Sequence, residues 1–298
     1  MVTGGVRRLS ERPVPSQLGS MRTLLLFALA VLGGTSCARA GVTPAPVLRL
    51  VTNDRGTLVN GKASASAAPG VRHIRLRNDG TEPHEAMFVR LPPAMTPRDY
   101  VAAVAAGALF PAGAIDQSGP GLTAPGDSVD LWLPLDPGTY VLICWNKSHA
   151  TELPPAVITV AGAPHDDVPP AADATITMHD HHFTIDRPIA SGERVLEIVN
   201  VGRAMHEMDI LELQAGATLA EVVQWREGEG APTSAAPAIP RSGALDAHDR
   251  TMRVRMRRTL RAGRHVLYCG MPLDSTAVTG QPFRNHADAG MLLEFTVR

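Results

Sequence analysis

The chain repeats itself. Asn78-Asp-Gly-Thr-Glu-Pro-His84-Glu85 and Asn200-Val-Gly-Arg-Ala-Met-His206-Glu207 share the pattern N-x-G-x-x-x-H-E. Twelve residues past each His stands a helix-start signal, Thr96-Pro97-Arg98-Asp99 in one copy and Thr218-Leu219-Ala220-Glu221 in the other. Further on, Pro137-Gly-Thr-Tyr-Val-Leu-Ile-Cys144 matches Ala262-Gly-Arg-His-Val-Leu-Tyr-Cys269. A duplication this long limits the fold more than composition does, because whatever one half forms the other must form as well.

Within each half the pattern is that of short strands. Val47–Val51 and Val71–Arg77 alternate apolar and polar residues, and Glu85–Leu91, Asp130–Pro134, Thr139–Cys144 and Ala156–Val160 read the same way. Thr96 caps a short helix running through Ala106, with Pro97 at its first position. The second half repeats the plan with strands at Ala174–Met178, Glu193–Asn200, Glu207–Leu213, Arg253–Met256, Arg264–Cys269 and Met291–Val297. Its helix, Thr218–Arg226, opens on a Thr218/Glu221 capping box, and a loop rich in Gly, Ala and Pro follows over Gly228–Gly243. A length of 298 residues accommodates two ordinary domains. The expected fold is all-β: two tandem Greek-key β-sandwich domains, 42–161 and 172–298, each with one short helix. The Pro-rich, acidic stretch 162–171 is the expected linker.

Residues 1–40 read as a leader. Met21-Arg22-Thr23 precedes the apolar run Leu24–Leu32, then small residues and Cys37-Ala38-Arg39-Ala40, the layout of a signal peptide. Met21 opens that leader by itself, which makes residues 1–20 an upstream extension. The apolar run is too short for a spanning helix. Cleavage after Ala40 releases a soluble protein; alternatively Gly34-Thr-Ser-Cys37 is a lipoprotein box and Cys37 carries a lipid anchor, the one expected link to a membrane. Both readings put the mature chain outside the cytoplasm: periplasmic, secreted or lipid-anchored at the envelope. An oxidising compartment pairs its thiols or gives them another task. Cys144 and Cys269 occupy equivalent positions of separate repeats, so a bridge between them requires the two halves to face each other there. The other readings are buried structural thiols and metal ligands.

Net charge of −1 and 4% aromatic residues offer nothing to nucleic acid or to stacked bases. No G-x-S-x-G elbow and no phosphate-cradling glycine loop is present. What the chain does offer is one His upstream (His206), then Cys269, His286 and Met291, a soft-ligand set suited to copper. At N-x-G-x-x-x-H, at G-x-x-x-x-x-C and at His286-x-x-x-x-Met291 the chain resembles the cupredoxins, the blue-copper fold. The resemblance implies that His206, Cys269 and His286 hold one copper ion in a plane while Met291 approaches axially. In the first half it implies a second, three-ligand site at His84, Cys144 and His149, with Pro154 standing where Met291 would be. Single-electron transfer to a redox partner protein is the implied function.

Two features depart from the small blue-copper proteins. The Cys269-to-His286 loop is long and must fold back, and Glu207 stands where those proteins usually carry Asn. Met87 falls on the opposite strand face from His84 and is not enlisted. In Met178-His-Asp-His-His182, His179 and His181 are expected to share a strand face as an accessory copper or zinc site. Copper oxidases and nitrite reductases keep a His beside the Cys; here Ile143 and Trp145 flank Cys144, and Tyr268 and Gly270 flank Cys269. The expectation is therefore a non-catalytic copper protein. Copper handling without electron transfer, and a metal-free binding module, are the alternatives.

Overall fold

The computed structural model of the chain describes residues 47–146, 148–227, 238–240, 253–274 and 284–298. The leader, Cys37 and most of the 228–243 loop lie outside the described residues. The first repeat contains β1 (Leu48–Asn53), β2 (Gly56–Val59), β3 (Ser64–Ala67), β4 (Gly70–Asn78), β5 (Met87–Leu91), α1 (Pro97–Ala105) and β6 (Ile115–Asp116). It continues through β7 (Ser128–Leu135), β8 (Gly138–Ile143), α2 (His149–Glu152) and β9 (Ala156–Val160). The second contains β10 (Ala174–His179), β11 (His182–Ile185), β12 (Gly192–Asn200), β13 (Asp209–Leu213), α3 (Leu219–Glu227) and β14 (Ala238–Pro240). Then come β15 (Arg253–Leu260), β16 (Gly263–Tyr268) and β17 (Leu292–Val297).

The fold is all-β with cupredoxin-like sandwiches, as the alternation requires. In β1 and β4 every second side chain is buried, Leu48, Leu50 and Thr52 in one and Ile74, Leu76 and Asn78 in the other. Both longer helices start on capping boxes. The Asp99 carboxylate accepts from Thr96 N–H while Thr96 Oγ1 accepts from Asp99 N–H, and Glu221 and Thr218 do the same for α3. The expectation of one helix per repeat needs a correction. The first repeat has a second helical turn, α2, which brings His149 back toward Cys144. Among the described residues no helix is long and apolar enough to cross a membrane.

The sheets do not divide two and two. A five-stranded sheet, β3-β9-β8-β5-β6, belongs to the first repeat and a four-stranded sheet, β14-β13-β16-β17, to the second. The remaining layer is one eight-stranded sheet, β11-β10-β12-β15-β7-β4-β1-β2, that runs through both. Its joint is the antiparallel pair β7–β15, with Leu131 opposite Met256. Those two residues are each other's equivalents: Leu131 lies 13 before Cys144 and Met256 lies 13 before Cys269. On either side Asp130 faces Arg257 and Trp132 faces Arg255, so the pairing reads the same from both strands. The repeats are thus related by an approximate two-fold axis between Leu131 and Met256. A single apolar core extends under the joint, taking in Ile74, Leu131 and Leu142 from one side and Ile176, Met256 and Leu267 from the other.

On the outer face of the joint Asp130 accepts from His73 (2.7 Å) and Arg75 (2.8 Å) and lies 3.3 Å from Arg257. Trp132 is stacked on His73, ring centroids 4.4 Å apart, with the Arg257 guanidinium 5.4 Å from its centre. The stretch between β9 and β10 runs without regular structure beside β4, where the carboxylates of Asp166 and Asp167 accept from Val71 and His73 N–H.

Candidate metal centres

Each repeat delivers its ligands in the same way. The Asn of N-x-G-x-x-x-H ends β4 or β12 and ties down the loop that follows. Asn78 donates to Glu82 O (2.7 Å) and accepts from Gly80 N–H (2.8 Å); Asn200 donates to Ala204 O (2.9 Å) and accepts from Gly202 N–H (2.8 Å). The loop then presents a fully buried His, His84 or His206.

In the second repeat His206, Cys269 and His286 converge, one donor atom from each lying within 4.8 Å of the others. Cys269 Sγ is 3.4 Å from His286 Nδ1 and 4.0 Å from His206 Nδ1, and the two Nδ1 atoms are 3.0 Å apart. Ligands sharing one ion at about 2.0–2.3 Å are themselves separated by about 3.3–3.8 Å; one of these separations lies in that range and the other two miss it by 0.2–0.3 Å, so small side-chain shifts would let the three share a single metal ion. The long Cys-to-His loop closes as a small ladder: Leu273 N–H donates to Arg284 O and His286 N–H to Met271 O. Residues 275–283 of that loop lie outside the described residues. Met291 is fully buried in the same apolar cluster as Cys269, and its carbonyl accepts from Cys269 N–H at 3.3 Å.

In the first repeat Cys144 Sγ is 3.8 Å from His84 Nδ1 and 3.5 Å from His149 Nδ1, and the two rings stack with centroids 4.7 Å apart. Glu85 N–H points at the same sulfur (3.5 Å). Continued two residues past its last pair, Leu142–Ala156, the β8–β9 register brings Pro154 level with Cys144, as the β16–β17 register continued by one brings Met291 level with Cys269, so the first site has no thioether donor at that position. Neither Cys144 nor Cys269 is in a disulfide, and both are buried. Burial, with the Glu85 carboxyl adding to it, pushes the Cys144 thiol up to about 12. A metal entering there therefore displaces a proton.

The residues that position these ligands were not anticipated. Asp54 Oδ1 accepts from His84 Nε2 (3.1 Å) and Asp180 Oδ1 from His206 Nε2 (3.2 Å), each carboxylate lying in the turn after β1 or β10. With Nε2–H committed to a carboxylate, Nδ1 is left as a lone pair facing the sulfur. Hydrogen bonds from His84 and Thr81 hold Asp54 down to about 2, and those from Ala204, Arg203 and His206 do the same for Asp180. Burial lowers His206, and burial together with His206 and His181 lowers His286 to about 4, so both imidazoles are neutral at pH 7. The glycine shared by both copies of the motif also finds its reason here. A Cβ on Gly80 would stand 2.6 Å from Asp54 Oδ1 and 2.9 Å from His84 Nε2; on Gly202 it would stand 2.5 Å from Asp180 Oδ1 and 2.7 Å from His206 Nε2. Only glycine leaves room for the His–Asp bond.

The accessory pair is corrected. His179 ends β10, but His181 sits in the turn with a left-handed backbone (φ 67°), so the two share no strand face. His179 instead pairs across the hairpin with His182, rings parallel and 4.3 Å apart. His181 lies edge-on to His286 at 5.5 Å.

The Glu of H-E has a common role as well. Glu85 accepts from Trp145 N–H, just past Cys144, and Glu207 from Gly270 N–H, just past Cys269. The two carboxyls share a buried neighbourhood with Asp209 and Arg226, which donates to Asp209 Oδ2 at 2.9 Å. Burial and the nearby Asp209 charge raise Glu85 to about 8, and burial likewise raises Glu207. Folded Glu85 thus stays protonated while its unfolded counterpart ionises, and this contribution to stability is lost as pH rises from about 4.5 through about 8. Glu85→Gln keeps the acceptor for Trp145 and removes the titration. Urea unfolding of the metal-free protein should show the variant gaining about 2–4 kcal/mol on wild type between pH 5 and pH 8. A constant difference across that range would contradict the assignment.

No model of a protein family matches the sequence, and no curated protein does. Among solved structures the chain is similar to reduced auracyanin from the photosynthetic bacterium Roseiflexus castenholzii, at 17% identity over 40% of this chain and 100% of that one, TM-score 0.30. It is similar to auracyanin A, a "blue" copper protein of Chloroflexus aurantiacus, at 17% identity over 39% and 98%, TM-score 0.29. It is also similar to a multicopper oxidase, at 14% identity over 84% and 88%, TM-score 0.24.

Proposed function

We propose that this chain is a copper protein that carries single electrons outside the cytoplasm, using His206, Cys269, His286 and Met291 as its principal site. The observation that carries the reading is the buried meeting of two neutral imidazoles and one thiol, with His206 and Cys269 fully shielded and Met291 buried in the same apolar cluster as Cys269. A thiolate, two imidazoles and a weak thioether suit both oxidation states of copper, and a rigid buried cage limits rearrangement when the electron moves. His84, Cys144 and His149 would hold a second ion without a thioether. Neither cysteine has a His beside it to pass electrons to a catalytic copper, so the protein acts with a redox partner rather than on a substrate.

Titration of the protein from Gly41 onward with Cu(II) tests this directly. An intense visible thiolate-to-copper band is expected, with Cys269→Ser removing most of it and Cys144→Ser the remainder, and voltammetry should give a reversible one-electron wave. Folded protein with free thiols and no band sinks the copper reading. Tight Cu(I) binding without a reversible wave would favour copper handling instead.

A further inference from the structure

The β10–β11 hairpin carries three histidines that the fold does not require. Its counterpart in the first repeat, the β1–β2 hairpin, has the same strand register and the same Asp at the same place, yet reads Asn53-Asp54-Arg55-Gly56 where the second reads His179-Asp180-His181-His182. The Asp is common because it holds the buried ligand His. The histidines are confined to one copy, so folding and ligand positioning proceed without them.

Their placement is that of a chelate. His179 and His182 are a cross-strand pair on the solvent face of an edge hairpin, together with Thr177 and Thr184, and their rings lie parallel at 4.3 Å. Two imidazoles binding one ion at about 2.0–2.1 Å need nitrogens about 3–3.5 Å apart; the rings are stacked as they stand, so sharing an ion requires them to rotate about their Cβ–Cγ bonds from a centroid separation of 4.3 Å. Among the described residues His179 Nε2 has one hydrogen-bond contact, to Thr184 Oγ1 at 3.4 Å, a long contact that a metal would readily replace. The next histidine points onward: His181 lies edge-on to His286, at 5 % the most exposed of the three converging ligands of the second-repeat site.

We propose that this hairpin captures a divalent transition metal, Cu(II) above all, at His179 and His182, and that His181 hands it to His286. Imidazole pairs select Cu(II), Ni(II) and Zn(II) over harder cations. The capture site requires nothing of the buried centre; the hand-over rests on the copper reading of that centre, and the two are read separately. Equilibrium dialysis against Cu(II) in a Cys144→Ser/Cys269→Ser background should lose one bound equivalent when His179→Ala and His182→Ala are added. An unchanged stoichiometry overturns the capture site, whatever the cysteines do. In the chain with both cysteines, stopped-flow growth of the thiolate–copper band should slow at least tenfold in His181→Ala, with the final band unchanged. An unaltered rate overturns the hand-over and leaves the buried site standing; absence of any band in wild type would be a failure of the electron-carrier reading instead.

Discussion

Arg226→Met is expected to lower the unfolding free energy by about 3 kcal/mol, the low end of the range for breaking a buried ion pair, because Arg226 keeps 22 % of its side chain exposed. Arg226 sits in the last turn of α3, donates to fully buried Asp209 and lies 5.3 Å above the Tyr268 ring. Removing it strands Asp209 in a pocket that also holds Glu207 and Glu85. The chain supplies its own control. The equivalents of Asp209 and Arg226 in the first repeat, 122 residues earlier as His84 is from His206, are Met87 and Val104, both buried. One copy of the fold thus carries an ion pair at these two positions and the other carries buried apolar side chains. Arg226→Met combined with Asp209→Met should therefore recover most of the loss, since an apolar filling is neutral or better once neither charge remains. Equilibrium denaturation of the two variants decides it; a double variant as unstable as the single one would mean that the pair does more than fill and neutralise.

Gly202→Ala should weaken metal binding in the second repeat by about 10–100-fold, the usual cost of disturbing the partner that orients a ligating His. The added methyl falls within 2.7 Å of both members of the His206–Asp180 pair, so one of them must leave. If His206 turns, its Nδ1 lone pair no longer faces Cys269. Asp180→Asn leaves the space open and keeps an acceptor for Nε2–H, so its effect should be several-fold smaller. Competition for the metal against a chelator of known affinity separates the two. Equal affinity of Gly202→Ala and wild type, with circular dichroism unchanged, would show that the carboxylate does not orient the ligand.

The candidate ligands were legible because much of their spacing is local: Cys144 to His149 and His286 to Met291 each span a single turn or loop, and His84 and His206 sit in a motif printed twice. The carboxylates behind them were not. Asp54 and Asp180 stand 30 and 26 residues before the histidines they hold, on a different hairpin, and an Asp after a strand reads first as an ordinary turn residue. Comparing the two turns by register, rather than by identity, is the signal that finds them. The His179/His181 pairing failed for a related reason: strand alternation was carried one residue too far, into a turn where His181 takes a left-handed backbone. Short edge strands such as β3, all Ser and Ala, and two-residue β6 have no pattern to read. Nor does alternation within a strand say which strand lies next to it, so the joining of β7 to β15 was invisible.

That joint makes the chain the covalent counterpart of a symmetric dimer. In a dimer of identical subunits every substitution appears twice, and two sites related by the axis must remain copies of each other. Here each half mutates by itself. Met291 stands level with one cysteine and Pro154 with the other; one hairpin carries three imidazoles and its mate none; one helix carries a half-buried cation in its last turn and its mate a valine. Fusion has kept the geometry of a pair while releasing its members from being equal.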